Sequence, residues 1–181
     1  MNIDDKLAYI TEKQMRVDNW PEVIEFCVQN WFYELVDLNR DQLLLGRNTD
    51  GELLSPTYQN DPYFRTSAQA QSYARFKRSL ERFHRMRLTF PLNYPDKPAD
   101  TPNLIIRGNF QDGMYIKFDA ESFTIGSRPI APLTLTDAAD IERKYNRKVF
   151  GLAPLSVEFW WNHRLRQELS DYINFRKDYY V

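Results

Sequence analysis

The chain has 181 residues, of which 43% are hydrophobic and 27% are charged, with a formal net charge of −1. This composition excludes an intrinsically disordered chain and allows a hydrophobic core of ordinary size. No apolar run approaches the roughly 20 residues that span a bilayer, and the first residues lack the pattern of a signal peptide, so a soluble protein made in the cytoplasm is predicted.

Two helices are predicted at the N-terminal end. Apolar residues recur near helical spacing over Ile3–Val17, with charged residues between them. A second helix begins near Pro21, which suits a first turn, and its apolar stripe continues to about Tyr33–Val36. Cys27, the only cysteine, falls on that stripe and is predicted to be an inert core residue.

A hairpin that projects from the body is predicted over residues 42–54. A short leucine run ends at Gly46, and Asp50-Gly51 favours a tight turn because glycine accepts a positive φ. The partner-binding residues predicted on this hairpin are Leu43, Leu44 and Leu45.

A helix with one basic side is predicted over residues 67–86. Residues 65–87 carry seven basic residues and one acid, Glu81, whereas residues 1–64 carry 12 acids and five bases. Faces of opposite charge suit contacts between copies. Three interpretations of the basic side stay open: a solvated or internally paired face, a protein partner, and DNA. Lys77 is placed on this side, and the residues predicted to bind a partner are Arg75, Arg78, Arg82 and Arg85.

A second projecting segment is predicted at residues 88–102, because its prolines exclude helix and disfavour a central strand. Alternating apolar residues then predict two antiparallel strands, one over Phe110–Phe118 and one around Phe123 and Ile125, with a third possible at 103–107. A short helix is predicted over Asp137–Tyr145. Apolar residues at four-residue spacing predict a long helix over residues 156–175.

The predicted fold class is therefore α+β, in a single domain over residues 1–181. A small antiparallel sheet from residues 103–128 packs against the long C-terminal helix, and the N-terminal helices lie alongside. A sheet of this size leaves open strand edges, which are available for pairing with another subunit.

The residues of known catalytic and metal sites do not recur in this sequence. His84 and His163, the only histidines, have no partner at metal-ligand spacing. Nucleophile elbows and glycine-rich phosphate loops are absent. The chain is predicted not to be an enzyme and to need no metal or cofactor.

Three segments carry a resemblance to a known family. They are Gln42-x-x-x-Gly46 followed by Asp50-Gly51 and Leu54-Ser55-Pro56-x-Tyr58, then Thr101–Met114, and then Val149-Phe150-Gly151-Leu152 before a helix. In this order, over residues 37–58 and 101–175, the chain resembles the tail-completion, or virion-morphogenesis, proteins of tailed bacteriophages.

The resemblance implies a structural virion protein of the head–tail junction, or neck, or of the tail end. Its implied partners are copies of itself in a ring and neighbouring neck or tail proteins. The alternative is a nucleic-acid-binding adaptor that contacts phosphate through the basic helix. An enzyme with a site assembled from distant segments is the third hypothesis.

Overall fold

The computed structural model describes residues 3–84, 88–104, 108–119, 122–131 and 135–176. Where the sequence predicts one domain, the chain divides into two compact units. The first unit takes the described parts of Met1–Phe32 and Glu158–Val181, and the second takes those of Tyr33–Val157. The second unit is therefore an insertion between the two halves of the first.

The α+β class is confirmed, with helices and one two-stranded antiparallel sheet in the described residues. In chain order the elements are α1 (Ile3–Asp18), α2 (Trp20–Asn30), α3 (Phe32–Leu44), α4 (Ser67–His84), α5 (Asn109–Asp112), β1 (Met114–Asp119), β2 (Ser122–Ser127), α6 (Leu135–Lys144), α7 (Pro154–Trp160), a π-helical turn (Trp161–Leu165) and α8 (Arg166–Ile173). The long C-terminal helix predicted over residues 156–175 is thus helical but interrupted by the π-helical turn.

Contacts between α1 and the end of α8 hold the first unit together. The Arg16 guanidinium donates a hydrogen bond to the Tyr172 carbonyl at 2.9 Å and lies 4.2 Å from the centre of the Phe175 ring. The Tyr9 ring lies 5.3 Å from the same phenylalanine ring. Cys27 on α2 is fully buried, which confirms its predicted place in the core.

The core of the second unit lies between the sheet and two helices. Strands β1 and β2 pair from Met114↔Ser127 to Asp119↔Ser122. The buried cluster beside them contains Val36, Leu43, Leu54, Phe110, Met114, Ala138, Tyr145 and Val149. Of the longer helices, α3 contributes Val36 and Leu43 to this cluster, and α6 contributes Ala138. The predicted C-terminal helix over residues 156–175 contributes none of these eight residues.

The structure describes only part of the third strand that the sequence allows at residues 103–107. Residues 103 and 104 are not in a strand, and residues 105–107 lie outside the described residues. In the described ranges the sheet therefore consists of β1 and β2 alone.

The hairpin predicted to project over residues 42–54 instead begins inside a helix. Helix α3 continues to Leu44, and only an isolated bridge between Arg47 and Leu53 joins the two sides of the turn that follows. Leu43 is fully buried in the core, Leu44 is buried and Leu45 is half-buried. Their predicted role in partner binding is wrong for Leu43 and Leu44, because burying apolar side chains on α3 stabilises the unit more than exposing them would.

The proline-rich segment 88–102, predicted to project, lies against its own unit. The Thr89 and Phe90 amides each donate to the Asp41 carboxylate at 2.8 Å. The Arg47 guanidinium donates to the Pro95 carbonyl at 2.8 Å, and the Tyr58 amide donates to the Asp100 carbonyl at 2.9 Å. Prolines prevent regular structure here but leave carbonyls free to accept hydrogen bonds from neighbouring elements.

Gly113 is required where α5 meets β1. A Cβ atom at this position would lie 2.2 Å from the Arg128 carbonyl oxygen, an atom of the backbone that cannot move aside cheaply. We expect Gly113→Ala to lower the free energy of unfolding by about 2 kcal/mol, as overpacking does elsewhere. Urea denaturation followed by circular dichroism measures the change. Ser122→Ala, at an exposed position of β2, is the control, and equal stability of the two variants would contradict the expectation.

Candidate interaction surface

Helix α4 belongs to the second unit and packs a narrow face of small side chains against the rest of it. Ala70, Ala74 and Lys77 are buried at helical spacing, and the small alanines allow the helix to lie close to the chain beneath it. Lys77 therefore lies on the inner side of α4 and not on the basic side, where the sequence places it. The acidic side chain of Glu81, one helical turn further on, favours the charged form of Lys77 at this position.

The opposite side of α4 carries part of the predicted basic surface. Arg75 and Arg78 are exposed, as predicted. The side chain of Arg82 and the whole of Arg85 lie outside the described residues, so their predicted role stays a prediction. Phe76, which the pattern assigns to the apolar inner side, is 49% exposed, and the helical spacing places it on a different side of α4 from Arg75 and Arg78. Exposed aromatic and arginine side chains are both enriched in protein contact surfaces.

A shallow cleft of about 710 Å³ opens beside α4. It is lined by Tyr63, Phe64, Arg65, Gln69, Ser72, Tyr73 and Phe76. The Phe64 and Tyr73 rings lie 5.2 Å apart, and the Tyr73 and Phe76 rings lie 6.1 Å apart. Tyr63 stands at the cleft with 81% of its surface exposed. The cleft is therefore an open aromatic surface bordered by a cation, Arg65.

The floor of this aromatic cluster is uncharged. Tyr58 lies beneath it, with its ring 5.1 Å from that of Tyr73. Burial raises the pKa of both phenols above the ordinary value, so neither ionises near neutral pH. The cluster offers rings and hydroxyl groups to a partner, and Arg65 supplies the positive charge at its border.

A buried group of charges fastens α4 to the proline-rich segment. Glu81 on α4 forms an ion pair with Lys97 and accepts a hydrogen bond from the Asn103 amide at 3.1 Å. Burial lowers the pKa of Lys77 to about 8, against the opposing effect of Glu81. Breaking a buried ion pair is costly, so this group fixes the position of the helix that carries the exposed arginines.

The first and third of the segments that carry the resemblance meet at one buried side chain, Gln42. Its amide nitrogen donates to the Gly151 carbonyl at 2.6 Å. Its amide oxygen accepts hydrogen bonds from the Ala153 backbone at 2.8 Å and from the Ser156 hydroxyl at 3.0 Å. Asn39 adds two bonds to the same loop, at the Val149 and Gly151 carbonyls. The first and third segments are thus joined through hydrogen bonds more than 100 residues apart in sequence.

The second segment packs against the first at Gly46. This glycine has a φ of +70°, and an added Cβ would lie 2.9 Å from the Thr101 methyl group and 3.0 Å from the Pro102 carbonyl oxygen. Residues whose spacing carries the resemblance therefore contact one another inside the second unit. We call the hydrogen-bonded contacts of Gln42 with Gly151, Ala153 and Ser156 the buried joint. Sequence reasoning missed the joint because Asn39, Asp41 and Gln42 are polar and predict a surface segment.

Comparison with protein-family models, curated proteins and solved structures finds no match. In the described ranges, no group of three or more His, Cys, Asp or Glu side chains is placed to hold a metal ion. Of the helices that the structure describes, none combines the length and apolar character needed to cross a membrane.

Proposed function

We propose that this chain is a structural virion protein of a tailed phage, at the head–tail junction or the tail end, where it assembles as a ring with copies of itself. The role requires no catalysis and no cofactor. Its partners are other copies and neighbouring neck or tail proteins. The phage assignment depends on the resemblance of the three segments, and the assembly role depends on the surface around α4.

The observation that carries the assembly role is the open aromatic cleft with Arg65 at its border, beside α4, which exposes Arg75 and Arg78 on another side. Large rings supply most of the binding energy at protein interfaces, and arginine is the cation most enriched there. Tyr63 and Phe76 leave much of their surface in water, which a partner would cover.

The second candidate function is the nucleic-acid adaptor. Exposed Arg75 and Arg78 suit contacts with a backbone of phosphates, and the exposed Phe76 ring on another side of α4 suits stacking by a base. Such binding would weaken steeply with added salt, since each phosphate contact releases counterions.

Reversing the two exposed charges tests both candidates. We expect Arg75→Glu combined with Arg78→Glu to weaken association between copies at least about tenfold, which corresponds to about 1.4 kcal/mol. Thermal stability should change little, because both side chains lie at the surface. Light scattering across a concentration series measures association, and electron microscopy of the purified protein shows whether rings form.

The matched control carries the same change of net charge on other exposed side chains, Lys117→Glu with Arg143→Glu. Undiminished association of the Arg75/Arg78 variant would remove this surface from the assembly role. A salt-dependent shift of a DNA duplex by the unaltered protein, abolished in the variant, would favour the adaptor instead.

A further inference from the structure

Helix α1 exposes a continuous apolar stripe. Ile3 is 77% exposed, Leu7 58% and Ile10 63%, and Val17 continues the line. The steps between these residues are four, three and seven, so with Gln14 they occupy every first and fourth position of a heptad. That period is the one at which helices pack along a shared seam.

The stripe is distinct from the side of α1 that the first unit uses. Tyr9 and Arg16 make the contacts with the end of α8. On a helix of 3.6 residues per turn, these two positions lie roughly 120° around the axis from the line of Leu7 and Ile10. The helix is thus held by its own unit on one side and presents apolar side chains on another.

The charges that flank the stripe differ in sign. Asp4 and Asp18 lie along one flank, and Lys6 and Lys13 lie along the other. When two such helices associate in parallel, opposite flanks meet, and Lys13 of one copy comes opposite Asp18 of the other. In an antiparallel pair the acidic flanks would face each other, and so would the lysines, which is unfavourable.

We propose that a second copy of this chain covers the stripe, with the two α1 helices parallel and in register. The inference deepens the proposed function, because it names a contact through which copies associate, and it rests on that function only in requiring self-association. We call the contact between the two stripes the α1 seam, and Gln14 lies within it. A polar residue at such a position favours one register, since only the matched register places it opposite its counterpart.

The length of α1 sets how much this seam contributes. Sixteen residues give little more than two heptads, which is too short for a seam that is stable alone. The α1 contact therefore adds to other contacts between copies. A parallel pair in register is a two-fold contact that closes at two copies, so a larger ring needs a second, different contact between copies.

Charge argues for a second copy over a lipid surface. Between Ile3 and Asp18 the helix has four acids and three bases. Helices that bind anionic membranes carry an excess of lysine and arginine on the polar side, which α1 lacks.

Placing a charge in the stripe tests whether it is an interface. We expect Leu7→Lys with Ile10→Lys to weaken association at least about tenfold in sedimentation or light scattering. Circular dichroism verifies that the helical content is kept. Ile130→Lys, at an exposed apolar position of the second unit, is the control. Association equal to that of the unaltered protein would overturn the proposal.

Single cysteines test the direction of the pair. Ile3→Cys and Val17→Cys place a thiol at each end of the stripe, while native Cys27 is buried. In the parallel arrangement each variant cross-links to itself under mild oxidation, and Glu12→Cys, off the stripe, does not. Cross-linking only in a mixture of the two variants would mean antiparallel helices and would overturn the proposal.

The outcomes separate this inference from the proposed function. Copies that associate normally with a charged stripe, yet less well with Arg75 and Arg78 reversed, would overturn the α1 seam and leave the assembly role supported. A chain that is monomeric at all concentrations would overturn both. Binding of the unaltered monomer to vesicles of anionic phospholipid, abolished by the lysine substitutions, would overturn the α1 seam in favour of a membrane contact.

Discussion

Replacing Gln42 with alanine is expected to lower the free energy of unfolding by about 4 kcal/mol. The substitution leaves the Ala153 amide and the Ser156 hydroxyl without their acceptor, and both residues are fully buried. Each unsatisfied buried group costs about 1–3 kcal/mol, and the lost side-chain volume adds a cavity term. Urea denaturation followed by near-ultraviolet circular dichroism measures the change.

Two further variants separate the hydrogen bonds from other effects. Gln42→Met nearly keeps the volume of the side chain but removes the acceptor for the Ala153 amide and the donor to the Gly151 carbonyl, so most of the loss is expected to remain. Gln29→Ala, on the exposed side of α2, should change stability by less than about 0.5 kcal/mol. A Gln42→Ala variant as stable as Gln29→Ala would show that the joint does not hold the unit together.

The stability of the protein is expected to depend on pH through Asp41. Burial raises the pKa of this carboxyl from 3.8 to about 6, although the Phe90 and Thr89 amides oppose the change. Between pH 4 and 6 the folded chain therefore binds a proton that the unfolded chain has released. Stability contributed by this group is full below pH 4 and is lost as the pH rises through 6, by about 3 kcal/mol in total.

Asp41→Asn isolates this contribution, because an amide oxygen can still accept from the Thr89 and Phe90 amides. We expect the variant to gain stability relative to the unaltered protein as the pH rises from 4 to 7. Asp41→Ala should show the same gain from a lower starting point, since it loses both hydrogen bonds. A difference between Asp41→Asn and the unaltered protein that stays constant from pH 4 to 7 would contradict the assignment.

Local patterns were sufficient for the elements whose contacts are close in sequence. The alternation of Met114, Ile116 and Phe118 predicts β1, and the structure confirms it. The helical spacing over Ile3–Val17 and from residue 67 onward predicts α1 and α4 within one or two residues of their described bounds. In each case the pattern reflects which side chains meet within one or two turns or across one hairpin.

The rest depended on partners distant in sequence. Gln42 and Asn39 are buried because their hydrogen-bond partners lie near residue 150, and no local pattern reveals such partners. Lys77 is buried near Glu81, and Glu81 also forms an ion pair with Lys97. The exposure of Phe76 follows from the small face of α4, which hydrophobicity alone does not predict. Arg75 and Arg78 were predicted correctly as exposed, whereas Leu43 and Leu44 were not.

The insertion of the second unit within the first has a consequence for synthesis on the ribosome. All of Tyr33–Val157 is synthesised between the two parts of the first unit, so the second unit has its whole sequence before the residues that pack against α1 are made. Helix α1 is made before the second unit but obtains the Tyr172 carbonyl and the Phe175 ring as partners only after that unit has been made. During that interval Tyr9 and Arg16 lack the contacts that they make in the folded first unit.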